Sequence, residues 1–199
     1  MGDTKTVLNG DDIIKHQAAL AKTVMYVAKA HEGQFRKGNN LPYIVHPLAV
    51  LVELSNWGIT KLVTLKAGVA HDVREERPDI TPEALAKAIG VKEAAIVEEL
   101  SFFPDPTSNL ADHVQKAKYM ETFMEKSLDA LVIKVADRVR NSWDFYHTDA
   151  AYAHKYWKKA VPLFDAMFSR LVEIEAEFGN EVMANMKFAR DTLNRMLVR

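Results

Sequence analysis

The chain has 199 residues, 48% hydrophobic and 27% charged, with a formal net charge of −1 and no cysteine. This composition suits a globular domain. It excludes a disordered chain, a disulfide scaffold and a thiolate metal site, along with any global field that would draw the protein to nucleic acid or an anionic membrane. No apolar run could span a bilayer and the opening MGDTKTVLNGDD lacks a signal-peptide layout, so the expectation is a cytoplasmic protein whose basic groups act only locally.

Helical periodicity runs throughout. Ile14, Ala18, Ala21, Met25 and Ala28 share one face of a first helix, with Asn9 or Asp11 as its cap and Gly33 as its stop. After the polar loop GQFRKGNNLPY, Pro47 suits the first turn of a second helix carrying Leu48, Leu51, Val52 and Leu54 and stopped by Gly58. Thr60 is the candidate cap of a third helix that runs through HDVREE. Thr81-Pro82 reads as cap plus first helical position, Gly90 as the stop, and a short helix follows through Val91–Leu100.

SFFPDPTSNL, with two prolines, is the clearest break. A helix over 113–125 follows, then one capped by Ser127 with the apolar stripe Leu128, Leu131, Val132, Val135 and Val139. Residues 149–178 stay helical with a kink or division at Pro162, and Gly179 sets off a last amphipathic helix ending near Arg199. No stretch alternates as a strand would. The expectation is an all-α bundle in one domain over 1–199, its core over about 11–160 and a C-terminal helical extension over 161–199 packed on it.

Chemistry concentrates around His71-Asp72. Imidazole and carboxylate both ligate divalent first-row metals. Neighbours on a continuous helix point about 100° apart, so an ion shared by these two needs ligands from other helices. His46 and Asp137 are the candidates, giving two imidazoles and two carboxylates with room left for water or phosphate oxygens. A lone His-Asp pair is more often an ordinary polar pair. The surroundings strengthen it: Glu75 and Glu76 follow one turn after His71 and Asp72, and acidic groups at a helix C-terminus oppose the macrodipole, so helix propensity does not account for them. A carboxylate there can orient a metal-bound water or take its proton. Asn141 lies one turn beyond Asp137. Arg36-Lys37 place two cations in a loop, where Arg can fork a phosphate or stack on a base, although such a pair is usually only solvated. The aromatic stretch Trp143, Phe145, Tyr146, Tyr152, Tyr156 and Trp157 reads as packing, and His16, His113, His147 and His154 show no ligand spacing.

The segments AHEGQFRKG…PYIVHPLAV, AHDVREE and LVIKVADRVRN, in register from about His31 to Asn141 with a weaker echo to Tyr156, resemble the hydrolase domain of RelA/SpoT-type alarmone enzymes in the HD superfamily. The short chain is similar to the stand-alone small hydrolases of that group. The resemblance implies an HD-domain helical bundle in which His46, His71, Asp72 and Asp137 bind one manganese ion. It also implies that Glu75 and Glu76 activate or position the attacking water. Arg36, stacking on the base, Lys37, Asn141, Lys118 and Tyr156 would contact the nucleotide; His31, Gln34 and Arg138 would support them. The implied reaction is hydrolysis of the 3′-pyrophosphate of ppGpp or pppGpp.

Four departures bear on the nucleotide pocket. Glu76 stands for the usual Asp, Arg77 for a frequent Thr and Arg140 for a frequent His, and EELSFFPDP replaces a GVTK segment. Alternatives therefore stay open: (p)ppApp, the 2′-phosphate of NADPH or a deoxynucleotide as substrate, or a non-catalytic nucleotide-binding partner. A small-molecule nucleotide is the expected partner, with no nucleic acid and no membrane. A homo-oligomer through the last helix is left open.

Overall fold

The computed structural model describes residues 10–37 and 40–198; the candidate cap Asn9, Gly38 of the basic loop and Arg199 lie outside them. The helices are α1 (Gly10–Ala30), α2 (Val45–Asn56), α3 (Leu62–Ala70), α4 (Val73–Glu76), α5 (Pro82–Ile89), α6 (Val91–Leu100) and α7 (Asp112–Glu121). After a 3-10 turn at Thr122–Met124 come α8 (Leu128–Thr148), α9 (Ala150–Lys158), α10 (Val161–Ser169), α11 (Leu171–Phe178) and α12 (Asn180–Leu197). Among the described residues there is no strand, only an isolated antiparallel bridge between Phe35 and Pro42. Among the same residues no helix is long and apolar enough to cross a membrane.

α8 is the axis of the bundle. Residues 130–139 are all buried, and α2, α3, α6, α9, α10 and α12 pack around them. A helix buried on every side should be apolar throughout. This one carries Lys134, Asp137 and Arg138 in its buried stretch, and buried charges persist only where partners compensate them. α10 and α12 pack directly on α8, and Leu163, Phe164, Met167, Val182, Met186 and Leu193 join the same core.

Several local signals act as their chemistry dictates. The hydroxyls of Thr81 and Ser127 accept from the N–H groups of Ala84 (3.2 Å) and Ala130 (3.1 Å), capping α5 and α8. Gly33, Gly58, Gly90 and Gly179 all take positive φ where helices stop. Pro162 sits in the first turn of α10 and divides 149–178 there.

Three expectations need correction. In α1 the apolar face of Ile14 and Met25 points outward, the two side chains being 65% and 73% exposed. The buried face carries Thr23, Val27 and Ala30 instead, and Thr23 satisfies its hydroxyl on the Ala19 carbonyl at 3.1 Å. α3 has no side-chain cap, and Lys61 rather than Thr60 occupies its N-cap position. The third helix does not run through HDVREE: it ends at Ala70, and the chain turns at His71–Asp72 before α4. There the His71 imidazole Nδ1–H donates to the Gly68 carbonyl at 2.8 Å, a side-chain bond to the backbone that competes with helix continuation.

Candidate metal centre and nucleotide pocket

The turn between α3 and α4 swings His71 and Asp72 toward the first turn of α2, which carries His46, and toward the middle of α8, which carries Asp137. Donor atoms of His46, His71 and Asp137 all lie within 4.8 Å of one another, and the three residues are buried. His46 Nε2 is 3.1 Å from Asp137 Oδ1, and His71 Nε2 is 3.6 Å from the same oxygen. Asp72 closes the group, with Oδ2 3.5 Å from His46 Nε2 and Oδ1 3.2 Å from His71 Nε2.

The donor set fits a divalent cation. Because Nδ1–H of His71 is fixed on Gly68, Nε2 is the ring atom aimed into the cluster, and that buried nitrogen makes no aligned hydrogen bond to the carboxylates around it. Tyr43 donates its hydroxyl to Asp72 Oδ2 at 2.8 Å, orienting the carboxylate from outside. Burial pushes the His71 imidazole down, yet the charges of Asp72 and Asp137 outweigh it and raise it to about 10. Burial also pushes both carboxyls up. His71 beside Asp72, and Lys134 beside Asp137, override this and hold both below the usual carboxylate range. Two buried carboxylates thus retain a proton on His71, and a bound cation would displace it.

Cations and aromatic rings back the cluster. Lys134 Nζ lies 3.3 Å from Asp137 Oδ2, with both side chains buried. The Arg138 guanidinium lies over the Tyr156 ring at 3.9 Å. Burial raises the Tyr156 hydroxyl to about 12, against the opposing charge of Arg138, so it remains a donor at neutral pH. Tyr119 is likewise raised to about 12 by burial, with Lys134 opposing. The aromatic stretch does pack: Phe145 meets Tyr152 and Tyr156 edge-on, and Trp157 lies against Phe164.

The basic loop forms the mouth. Arg36 N–H donates to Leu41 O (2.8 Å) and Tyr43 N–H to Gln34 O (2.9 Å), pairing residues 34–36 with residues 41–43. Arg36 is thereby turned inward. Its Nη2 donates to Asn141 Oδ1 at 2.7 Å and to Asp144 Oδ2 at 3.2 Å, and its guanidinium lies 5.8 Å from the Tyr43 ring centre. Asn141 Nδ2 in turn donates to Asp137 Oδ1 at 2.5 Å. His31 stacks on Tyr43 and bonds Gln34 through Nδ1 (2.6 Å), while Gln34 Nε2 donates to the Glu76 carbonyl (3.1 Å).

The two glutamates face different sides. Glu75 Oε1 accepts from the Phe102 N–H at 2.8 Å, and its charge bears on Lys116, Lys126 and Lys134. Glu76 is exposed, and its charge bears on His31 and Tyr43 at the opposite rim. Lys37 is exposed on the loop. Lys118 is exposed on α7 and makes none of the described contacts with the site. The α7 lysine that feels the charges of Glu75 and Asp137 is Lys116, two residues earlier and so on nearly the opposite side of the helix. Sequence reading missed it, together with Tyr43, Lys134 and Asp144. The available signal was a lysine inside the apolar run LVIKVA, which demands a buried partner.

Two departures turn away from the pocket. Arg77 donates to the Ala30 carbonyl and to Asp79 (2.8 and 2.7 Å), tying the end of α4 to the end of α1. Arg140 faces α2, 3.6 Å from Glu53.

Comparison with known proteins identifies the family. A family model described as an HD domain matches residues 23–171. A guanosine-3′,5′-bis(diphosphate) 3′-pyrophosphohydrolase of Spiroplasma citri is 33% identical over 137 residues, covering 64% of this chain and 17% of that protein. One from Vibrio cholerae is 34% identical over 128 residues, covering 62% and 17%. A GTP pyrophosphokinase of Myxococcus xanthus is 27% identical over 165 residues, covering 80% and 21%. The chain thus spans about a fifth of the length of these curated relatives. A solved metazoan orthologue of SpoT, described as hydrolysing ppGpp, superposes with a TM-score of 0.73 at 25% identity, covering 90% of this chain and 95% of the other. The chain belongs to the HD-domain family, among proteins of the RelA/SpoT type.

Proposed function

We propose that this protein is a single-metal phosphohydrolase that removes the 3′-pyrophosphate of ppGpp or pppGpp, with one manganese ion held by His46, His71, Asp72 and Asp137. The observation that carries this is the buried Nε2 of His71, aimed between the carboxylates of Asp72 (3.2 Å) and Asp137 (3.6 Å) without an aligned hydrogen bond to either, where a proton stands in place of a cation. The RelA/SpoT-type relatives and the SpoT orthologue supply the substrate class.

A divalent ion bound there polarises a phosphate oxygen and acidifies a water. The chain's own residues do the rest. Glu75, steadied by the Phe102 N–H on one oxygen, turns its other oxygen to the water and takes its proton. Glu76 orders water at the rim. Tyr43 holds the Asp72 carboxylate in one orientation, and Asn141 does the same for Asp137. Arg36 and Lys37 at the mouth and Lys116 on the Glu75 side offset phosphate charge, and the neutral Tyr156 hydroxyl donates to the substrate. Water adds to the 3′-phosphorus, the bond to the 3′-oxygen breaks, and that oxygen takes up the proton Glu75 removed from the water, giving GDP or GTP and pyrophosphate.

The test is product analysis. The purified protein with manganese is offered ppGpp, pppGpp, ppApp, NADPH and dGTP separately. Pyrophosphate from the guanosine 3′-diphosphates, abolished by Asp72→Ala, is the expected result. Orthophosphate from NADPH alone would replace the reading with a nucleotide phosphatase, and no turnover by the metal-loaded protein would leave a nucleotide-binding protein.

A further inference from the structure

Asp137, Asn141 and Asp144 follow one another on α8 at steps of four and three, so all three project from one side of the helix. Their polar atoms form a continuous chain. Asp137 Oδ1 accepts from Asn141 Nδ2 (2.5 Å), Asn141 Oδ1 accepts from Arg36 Nη2 (2.7 Å), and Arg36 Nη2 also donates to Asp144 Oδ2 (3.2 Å). Exposure rises along it, from a 6% exposed side chain at Asp137 to 31% at Asp144. Asn141 spends both ends of its amide inside the chain. Asp144 spends one oxygen, and its Oδ1 makes none of the described side-chain contacts. Seven residues at 1.5 Å rise set Asp144 about 10 Å along the helix from Asp137, comparable to the span of a nucleoside.

We infer that Asp144 is the residue that selects the base, accepting from the Watson–Crick edge of guanine and disfavouring adenine. The inference rests on the reading that a nucleotide 3′-pyrophosphate occupies the metal end. With the phosphates there and the ribose along Asn141, the base reaches the Arg36 guanidinium, a planar cation suited to stacking. A carboxylate at the edge of that plane is an acceptor on both oxygens. Guanine offers two adjacent donors, N1–H and the 2-amino group. Adenine offers one amino group beside a bare N1, whose lone pair faces the carboxylate.

Asp144→Asn is the informative change, because it keeps the shape and an oxygen for Arg36. An amide pairs with adenine as donor and acceptor together, and a good bidentate pair discriminates by about tenfold to a hundredfold. Dissociation constants and kcat/KM are measured for ppGpp and ppApp with the full chain and with Asp144→Asn. The wild type should favour ppGpp by about that factor. The variant should lose at least tenfold of the preference, through weaker ppGpp and stronger ppApp binding. A residue that merely anchors Arg36 would weaken both nucleotides equally, so an unchanged ratio overturns the inference, as does a wild type without guanine preference. Guanine-selective binding without turnover would overturn the proposed activity while upholding the role of Asp144. Turnover of both nucleotides with no base preference would do the reverse.

Discussion

Lys134→Met isolates the electrostatic basis of the site. Lys134 Nζ lies 3.3 Å from Asp137 Oδ2, both side chains being less than a tenth exposed. At that separation and an effective dielectric of about 20, the attraction is about 5 kcal/mol. Methionine fills similar volume but leaves Asp137 buried without its cation, which costs about 3–5 kcal/mol. For a chain of this size such a loss lowers the melting temperature by about 10 °C. A divalent ion changes the comparison, because Lys134 repels it while balancing the same carboxylates. Thermal unfolding is recorded for wild type and variant, metal-stripped and with saturating manganese. The metal-stripped variant should melt about 10 °C lower, and manganese should raise it by more than it raises the wild type. Equal melting of the two stripped proteins, or a smaller manganese shift in the variant, would show that Lys134 does not balance the buried carboxylates.

Metal affinity should rise with pH. Because His71 in the metal-free fold is raised from its ordinary value to about 10, binding expels a proton, and the apparent manganese affinity should climb about tenfold per pH unit from pH 6.5 to 8.5. A flat titration would contradict this. The raised value also means that metal-free stability from His71 is complete below its ordinary value and fades as pH rises toward 10; melting of the stripped protein from pH 6 to 10 reports it. Gly68→Ala would place a Cβ 2.5 Å from Leu54 Cδ1, costing about 1–3 kcal/mol in denaturant titrations and shifting the carbonyl that orients His71. Arg77→Ala should cost about 1 kcal/mol of stability through its bond to Ala30, while kcat/KM for ppGpp stays within about twofold.

What the sequence made legible follows from how far each signal is local. Thr81 and Ser127 as caps, and the four glycine stops, depend only on nearby backbone and were readable. So was the convergence of His46, His71, Asp72 and Asp137, which came from the register of three motifs rather than from geometry. Side-chain direction was not legible. α1 has two faces with helical period, and the buried one includes a threonine that bonds its own backbone. On α7, Lys116 and Lys118 are chemically equal, and only packing of the helix decides which one meets Glu75. The break at His71–Asp72 was hidden because VREE continues a helical pattern. Asp144 carried no flag as a single acid on a helix, since its meaning depends on Arg36, 108 positions earlier in the chain.

Manganese-dependent turnover shows whether one ion at the His46, His71, Asp72 and Asp137 site drives the reaction. Metal-stripped protein is titrated with manganese while pyrophosphate release from ppGpp is followed. The expected result is no release without metal, saturation at one ion per chain, and no recovery at any manganese concentration in Asp72→Ala. Release by the stripped protein, saturation at two ions, or full activity in Asp72→Ala would contradict it.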